Sequence, residues 1–255
     1  MSSFDTISLS DHTIRLPDGR KLGYAVYGET DGEALFYFHG YPGARVEAAG
    51  LSAFATEVGL RLIALDRPGM GLSSFQPGRR LLDWPADVVA VADHLRLDRF
   101  AVLGVSGGGP YALACASRIP DRLTACGVAC GMGPLEAGTA SMSTGYRLAL
   151  FIAGRFPWLW MPLLWALARR YRDEASARQA FVKSARALGE PDRTALLIPE
   201  VSAAVAASTV EAFRQGVRGV AYEARLYARP WGFRLGDIVC PRLLLWHGER
   251  DPWCR

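Results

Sequence analysis

Short apolar runs alternate with helical spacing over the first 130 positions of the chain. Between positions 7 and 28, apolar and polar residues alternate around a Pro-Asp-Gly turn at 17–19, which predicts a β-hairpin. Continuous apolar runs, typical of strands buried on both faces, follow at positions 34–38, 61–66, 100–105 and 123–130. Helical spacing occupies positions 46–58, 83–95 and 107–118. We expect Asp83 to cap the second of these helices, with Pro85 in its first turn.

Strands and helices that alternate in this way predict an α/β fold built on a doubly wound, mostly parallel sheet. From about position 132 the alternation stops, and a helical, aromatic-rich pattern continues until a further apolar run at positions 242–246. We therefore expect three segments, namely a core over 1–131, a helical cap insertion over 132–235 and a return to the core over 236–255. An insertion between two strands lies over the carboxyl ends of the sheet, where ligands bind.

One apolar stretch, positions 148–168, has the composition of a membrane segment. It contains Arg155, Pro157 and Pro162, whereas a membrane-spanning helix needs about 20 apolar residues with few or no charges. We therefore expect two short helices that break near the prolines, and no membrane span.

Gly104, Ser106 and Gly108 form a Gly-x-Ser-x-Gly motif between a predicted strand and a predicted helix. A serine at the tip of such a sharp turn has strained backbone geometry, and only small residues two positions away avoid a clash. The partial positive charge at the N-terminus of the following helix favours an oxyanion at this point. Ser106 is therefore the candidate nucleophile.

A second glycine-containing turn, His-Gly-Tyr-Pro-Gly at positions 39–43, follows the first continuous apolar run. The backbone N–H groups of Tyr41 and Gly107 can converge on one point and form an oxyanion hole. We expect His39 to fix the loop through hydrogen bonds of its ring and not to transfer protons. The predicted supports of the loop and the nucleophile turn are His39, Gly40, Pro42, Gly104 and Gly108.

The third candidate element is an acidic segment after the last apolar run. Asp251 is a better candidate than Glu249 for a carboxylate that orients a catalytic base, because Glu249 lies directly at the strand end. Asp66 follows the second continuous apolar run, and we expect it to organise a loop.

Taken together, these motifs resemble those of α/β-hydrolase fold proteins, and they are most similar to bacterial hydrolases of the proline-iminopeptidase-like and esterase-like kind. The resemblance rests on HGxPG at 39–43, DRPGxGLS at 66–73 and GVSGGGPYA at 104–112. It implies that Ser106 is the nucleophile and Asp251 the acid of a catalytic triad. It also implies that Tyr41 and Gly107 donate to the oxyanion.

The catalytic histidine is the part of the family pattern that this sequence does not supply. Family members carry it in a Gly-His loop after a further strand beyond the acid, whereas Arg255 is the last residue here. Four histidines are present, and their positions make them poor substitutes: His12, His39, His94 and His247. We therefore expect the 255-residue chain, with its last strand and helix missing, to be nearly inactive, and its full-length form to be a hydrolase.

Composition narrows the remaining options. The formal net charge is +4, but the basic residues are dispersed arginines with only two lysines, which argues against nucleic-acid binding. Five cysteines without CxxC spacing or nearby histidines indicate reduced thiols, not a metal site or a disulfide framework. The first residues lack the pattern of a secretory signal. We therefore expect a cytoplasmic protein whose reaction needs no metal or cofactor.

The sequence thus predicts a serine hydrolase that cleaves a small carboxylic ester or amide through an acyl-enzyme. Aromatic residues of the cap suggest an apolar pocket for the substrate: Phe151, Phe156, Trp158, Trp160 and Trp165. Aminopeptidase activity stays open because Glu200, Glu211 and Glu223 could bind a substrate amine, although solvated surface positions are the simpler interpretation. The alternatives are a non-catalytic, ligand-binding hydrolase-like protein and a broken gene product. The substrate and the oligomeric state stay open.

Overall fold

The computed structural model describes residues 11–139, 142–186, 188–249 and 251. These residues contain a seven-stranded sheet with the strand order β1-β2-β4-β3-β5-β6-β7. The strands are β1 (Asp11–Arg15), β2 (Lys21–Gly28), β3 (Glu33–Phe38), β4 (Leu60–Leu65), β5 (Phe100–Val105), β6 (Leu123–Ala129) and β7 (Leu243–Trp246). Only the β1–β2 and β2–β4 pairs are antiparallel. The expectation of a mostly parallel α/β sheet is confirmed.

Nine α-helices accompany the sheet in the described residues. They are α1 (Ser52–Glu57), α2 (Trp84–His94), α3 (Gly109–Arg118), α4 (Thr144–Arg155), α5 (Pro157–Arg170), α6 (Glu174–Ala185), α7 (Glu190–Leu197), α8 (Pro199–Ala212) and α9 (Arg218–Tyr227). The last six lie between β6 and β7, in the segment where the sequence pattern is helical. Positions 7–10 of the predicted hairpin lie outside the described residues.

One predicted helix is divided in the structure, and another has its N-cap residue where expected but not the expected hydrogen bond. The segment predicted as one helix over 46–58 is a 3₁₀ helix (Arg45–Leu51) followed by α1. Asp83 is the N-cap residue of α2, as predicted, but its side chain forms no capping hydrogen bond with that helix and accepts the backbone N–H of Arg80 at 2.8 Å instead. Asp83 therefore stabilises the 3₁₀ turn Leu81–Asp83, which precedes α2. Short polar side chains often form hydrogen bonds with nearby backbone in this way.

Helices cover both faces of the central strands. On one face, Phe36, Phe38 and Phe100 of the sheet pack with Trp84 of α2 and Tyr111 of α3 in one buried cluster. On the other face, a second cluster joins the sheet to α1 and the preceding 3₁₀ helix. Strands buried on both faces must be apolar throughout, which explains why β3, β4 and β5 lack alternation.

The edge strand β7 departs from the sequence-based expectation of a buried strand. Leu244, Leu245 and Trp246 are 57%, 69% and 68% exposed. β7 pairs only with β6 in the described sheet, and these exposures show that neither of its faces is covered by the described residues. The apolar pattern predicted the strand correctly, but it does not record whether a neighbour covers it.

The apolar stretch at 148–168 forms two helices, as predicted. α4 ends at Arg155 and α5 begins at Pro157, but Pro162 lies inside α5 and does not end it. The inner side of α5 packs on α9, in a cluster that includes Leu164 and Val220, and this tertiary packing overrides the local cost of the proline. Among the described residues, no single helix has both the length and the hydropathy that a membrane crossing requires.

Candidate active site

Ser106 occupies the turn between β5 and α3, at the carboxyl end of the sheet. Its φ is +50°, in the left-handed region that residues other than glycine rarely adopt. It begins a 3₁₀ turn (Ser106–Gly108) that leads directly into α3. β5 lies between β3 and β6, so the strained turn holds the serine near the middle of the sheet edge. Strain of this kind is typical of active-site residues.

The two glycines that flank Ser106 are explained by close backbone contacts. A Cβ added to Gly104 would lie 2.3 Å from the carbonyl oxygen of Gly108, and a Cβ added to Gly108 would lie 2.0 Å from that of Phe38. Both distances are far below van der Waals contact, and both partners are backbone atoms that cannot rotate away. The serine turn can therefore pack against β3 only with glycine at these positions.

The structure brings the two expected oxyanion donors, Tyr41 and Gly107, next to each other. A Cβ added to Gly107 would lie 2.7 Å from the Cβ of Tyr41, and one added to Gly40 would lie 3.8 Å from the Cβ of Ser106. Neither the Tyr41 N–H nor the Gly107 N–H donates to the carbonyl of a described turn, loop or cap. The Tyr41–Pro42 peptide bond is cis, and the Tyr41 hydroxyl donates to the carbonyl of Val220 at 3.0 Å.

His39 is fully buried in the loop after β3. Its Nδ1 lies 2.8 Å from the carbonyl oxygen of Gly40. Burial, and then the positive charge of Arg67, hold the pKa of His39 well below its usual range. The ring is therefore neutral near pH 7 and can donate its Nδ1–H to Gly40. This geometry suits a loop-fixing role.

Arg67 holds the same loop through hydrogen bonds to its backbone. The sequence analysis did not single out this residue. Its guanidinium donates to the carbonyl oxygens of His39 at 2.5 Å and Gly40 at 2.8 Å. Its Nε lies 2.6 Å from Oε1 of Glu223 on α9, and both side chains are completely buried. A buried guanidinium with three acceptors fixes the carbonyls that precede Tyr41.

Glu223 connects this loop to the nucleophile turn through Tyr227, one helical turn later on α9. The Tyr227 hydroxyl donates to the carbonyl oxygen of Gly107 at 2.8 Å and also contacts Oε1 of Glu223. Burial raises the pKa of Tyr227 well above its usual range, so the hydroxyl keeps its proton. Arg79 contacts the other carboxylate oxygen of Glu223 at 3.4 Å and donates to the Tyr111 hydroxyl at 2.7 Å. Both segments that carry the expected donors are thus tied to one glutamate of α9.

The interpretation of the cap glutamates as solvated surface positions is wrong for Glu223, which is buried and paired. Glu211 pairs with Arg45 at 2.7 Å and is largely shielded, whereas Glu200 is exposed. The two shielded carboxylates are neutralised by arginines of this chain. A free substrate amine would have to compete with those arginines.

Asp66 organises the loop after β4 in the described structure. Its carboxylate accepts the backbone N–H of Arg45 at 2.7 Å and that of Leu72 at 2.8 Å, and it pairs with the Arg45 side chain at 2.9 Å. Burial raises the pKa of Asp66 to about 6. These contacts are with the loop and with Arg45, and none is with Ser106, so Asp66 has a loop-organising role.

Asp251 lies in the turn after β7. Its backbone N–H donates to Gly248 at 3.1 Å, and its Oδ2 lies 3.4 Å from Nε2 of His247. The backbone N–H of Cys130 donates to Trp246 at 2.8 Å, which holds the end of β7 beside the end of β6. Asp251 is therefore at the same edge of the sheet as Ser106, on the far side of β6.

No histidine of the described chain forms a hydrogen bond with Ser106 Oγ. His12 stacks on Tyr24 in the β1–β2 hairpin, with ring centroids 5.0 Å apart, and His94 is exposed at the end of α2. The described residues thus include the candidate nucleophile, the two expected oxyanion donors and the candidate acid, but no histidine beside Ser106. Within the described ranges, no cluster of three or more His, Cys, Asp or Glu side chains could hold a metal ion.

Comparisons with known proteins agree with this fold. A family model described as alpha/beta hydrolase fold matches residues 33–252. An uncharacterized hydrolase of Bacillus subtilis is 33% identical over 106 residues, which cover 42% of this chain and 36% of that protein. A bifunctional esterase/perhydrolase of Acinetobacter calcoaceticus is 27% identical over 140 residues, covering 54% of this chain and 51% of the relative. The match thus spans about a third to a half of these relatives.

Solved structures agree on the architecture. Epoxide hydrolase A from Mycobacterium thermoresistibile superposes with a TM-score of 0.66 at 18% identity, over 96% of this chain and 84% of that one. At this identity the likeness shows the fold alone. The family match covers most of the chain, and it includes the Ser106 turn, the Tyr41 loop and the strand before Asp251. The chain belongs to the α/β hydrolase fold family.

Proposed function

We propose that this protein is a serine hydrolase that cleaves a small carboxylic ester, or an amide, through an acyl-enzyme on Ser106. The observation that carries the proposal is the positive φ of Ser106 in a strand-turn-helix junction, with the Tyr41 loop packed against Gly107. Relatives of this chain that are hydrolases, among them the esterase/perhydrolase, support the same reaction class.

In the proposed reaction, Ser106 Oγ attacks the carbonyl carbon of the substrate while a base takes its proton. The carbonyl oxygen becomes an oxyanion and accepts the N–H groups of Tyr41 and Gly107. The tetrahedral intermediate then expels the alcohol or amine, which takes up the proton. Water attacks the acyl-enzyme in the same manner and releases the carboxylic acid. Asp251 would orient the base and stabilise its charged form.

The described residues place no histidine where it could accept the proton of Ser106 Oγ. A serine hydroxyl without an adjacent base is a poor nucleophile near neutral pH. In subtilisin the loss of the histidine lowers kcat by about 2 × 10⁶, and binding plus the oxyanion hole retain about 10³ to 10⁴ over water. Because no described histidine reaches Ser106, we expect the 255-residue chain to turn over slowly.

Chemical rescue tests both the nucleophile and the missing base. Hydrolysis of p-nitrophenyl acetate by the purified chain is measured with and without added imidazole, and with the rate of imidazole alone subtracted. We expect a slow basal rate that rises with imidazole and that Ser106→Ala reduces to the solution rate. A fast basal rate lost in Ser106→Ala would keep the nucleophile and overturn the expectation of slow turnover. A rate that Ser106→Ala does not change would overturn the hydrolase assignment.

A non-catalytic, ligand-binding role is the second candidate, because no described histidine contacts Ser106. It predicts saturable binding of a small ester or lactone with no acyl transfer at any imidazole concentration. Titration with the ester, followed by mass measurement of the chain, separates the two. An acetyl group bound to the protein, absent in Ser106→Ala, supports the hydrolase; binding without that mass change supports the alternative.

A further inference from the structure

The outward surface of α4 and α5 is apolar. Six large apolar side chains on these two helices, each between 53% and 63% exposed, form what we call the cap patch: Leu148, Phe151, Trp158, Leu159, Leu163 and Trp165. Phe156 joins the two helices of the patch, because its ring lies 5.9 Å from that of Phe151 and 5.4 Å from that of Trp158. Single exposed apolar residues are ordinary, but a group that adjoins in this way marks an interaction surface. The cap aromatics that the sequence suggested for a substrate pocket therefore include three that lie more than half in solvent.

α5 is apolar on both of its sides. Met161, Leu164 and Leu167 face inward and belong to a cluster with α9. The outward positions Trp158 and Leu163 are 63% and 54% exposed. A helix with apolar residues all round occurs inside a protein core or in contact with lipid, and the outward side of α5 has no covering element among the described residues.

The segment that carries the cap patch has charges of one sign, whereas Glu174 and Asp173, which pairs with Arg172 at 3.1 Å, follow it directly. The segment 144–172 contains no Asp or Glu, and it contains five exposed arginines: Arg147, Arg155, Arg169, Arg170 and Arg172. Arg155 ends α4, while Arg169 and Arg170 end α5. A second copy of the same surface would bring these positive charges together, so self-association through the patch is unfavourable.

We propose that the cap patch docks this protein on the surface of a membrane that contains anionic lipids. α4 and α5 have 12 and 14 residues and meet at a bend of 118°. Each is shorter than the about 20 residues that a span needs, which suits helices that lie in the interface plane. Tryptophans favour the headgroup level, and arginines at the helix ends reach lipid phosphates. Docking does not depend on the chemistry of Ser106.

Vesicle flotation tests the apolar contribution. The full chain is mixed with vesicles of phosphatidylcholine, or of phosphatidylcholine with about 30 mol% phosphatidylglycerol. We expect it to float with the anionic vesicles, and Leu159→Gln with Leu163→Gln to lower the partition coefficient at least about tenfold. The matched control is Phe54→Gln on α1, at a side chain that is 61% exposed outside the patch. We expect this control to bind as the unaltered chain does.

A second pair of variants tests the charge. Each arginine near an anionic bilayer is worth about a fivefold change in partition at moderate ionic strength. Arg169→Gln with Arg170→Gln should therefore weaken binding about 25-fold, and added salt should reduce the difference. Arg118→Gln, at an exposed arginine of α3, is the control and should change little.

Three outcomes would overturn the proposal. The first is no flotation with anionic vesicles. The second is equal binding to both vesicle types that the patch variants leave unchanged. The third is a dimer, measured by analytical ultracentrifugation, that Leu159→Gln with Leu163→Gln dissociates, since the patch would then be covered by a second copy. All substituted side chains are exposed, and thermal unfolding of each variant checks that the fold is retained.

Discussion

Arg67 and Glu223 form a buried ion pair that joins the two segments of the candidate active site. Nε of Arg67 lies 2.6 Å from Oε1 of Glu223, with both side chains shielded from solvent. Arg67 also holds the carbonyls before Tyr41, and Glu223 contacts the tyrosine that holds the carbonyl of Gly107. The pair therefore positions the two expected oxyanion donors relative to each other, with one partner in the loop after β4 and the other on α9.

Removal of the Glu223 charge should destabilise the protein strongly. Glu223→Gln leaves the Arg67 charge buried without its carboxylate, which costs about 3 to 5 kcal/mol in comparable buried pairs. The free energy of unfolding, measured in urea, gives the loss. Asp93→Asn is the control, because Asp93 pairs with Arg122 at the surface, where such pairs contribute less than about 1 kcal/mol. Equal losses in the two variants would contradict the role of the buried pair.

The Arg67–Glu223 pair is a feature that the sequence alone could not predict. Local patterns predicted the strands and the Gly-x-Ser-x-Gly turn, because each depends on a few neighbouring residues. The pair joins residues 156 positions apart, and in a single sequence a buried charge is indistinguishable from a solvated one. The same limit explains the exposed faces of β7. The one available signal was the i, i+4 spacing of Glu223 and Tyr227 on α9, which places both on one side of the helix.

The nucleophile turn should not tolerate a single added methyl group. Gly108→Ala would place its Cβ 2.0 Å from the carbonyl oxygen of Phe38, a backbone atom of β3. We expect a loss of about 3 kcal/mol or more in the free energy of unfolding, and the loss of acetylation at Ser106. Gly133→Ala, whose Cβ would meet nothing within 4 Å, is the control and should stay within about 0.5 kcal/mol. A stable, reactive Gly108→Ala protein would show that the turn is placed differently.

His247 is the histidine whose role most needs a direct test, because its Nε2 lies 3.4 Å from Asp251. Its ring forms no hydrogen bond with Ser106 in the described structure, so we expect His247→Gln to change the basal p-nitrophenyl acetate rate by less than about twofold. General-base catalysis contributes about 10² to 10⁴. A loss of that size, restored by imidazole, would instead identify His247 as the base.

His39 should make stability fall in mild acid. Its folded-state pKa is held well below the usual range by burial and by Arg67, so below about pH 6.5 the unfolded chain binds more protons at this ring than the folded chain does. The free energy of unfolding that this group contributes is complete above that pH, and about 1.4 kcal/mol of it is lost between pH 7.5 and 5.5.

Urea unfolding at both pH values should show that His39→Gln loses less stability than the unaltered chain, by about this amount. His94→Gln, at an exposed histidine of α2, is the control and should keep the original difference. An unchanged difference in His39→Gln would show that the ring is protonated in the folded protein.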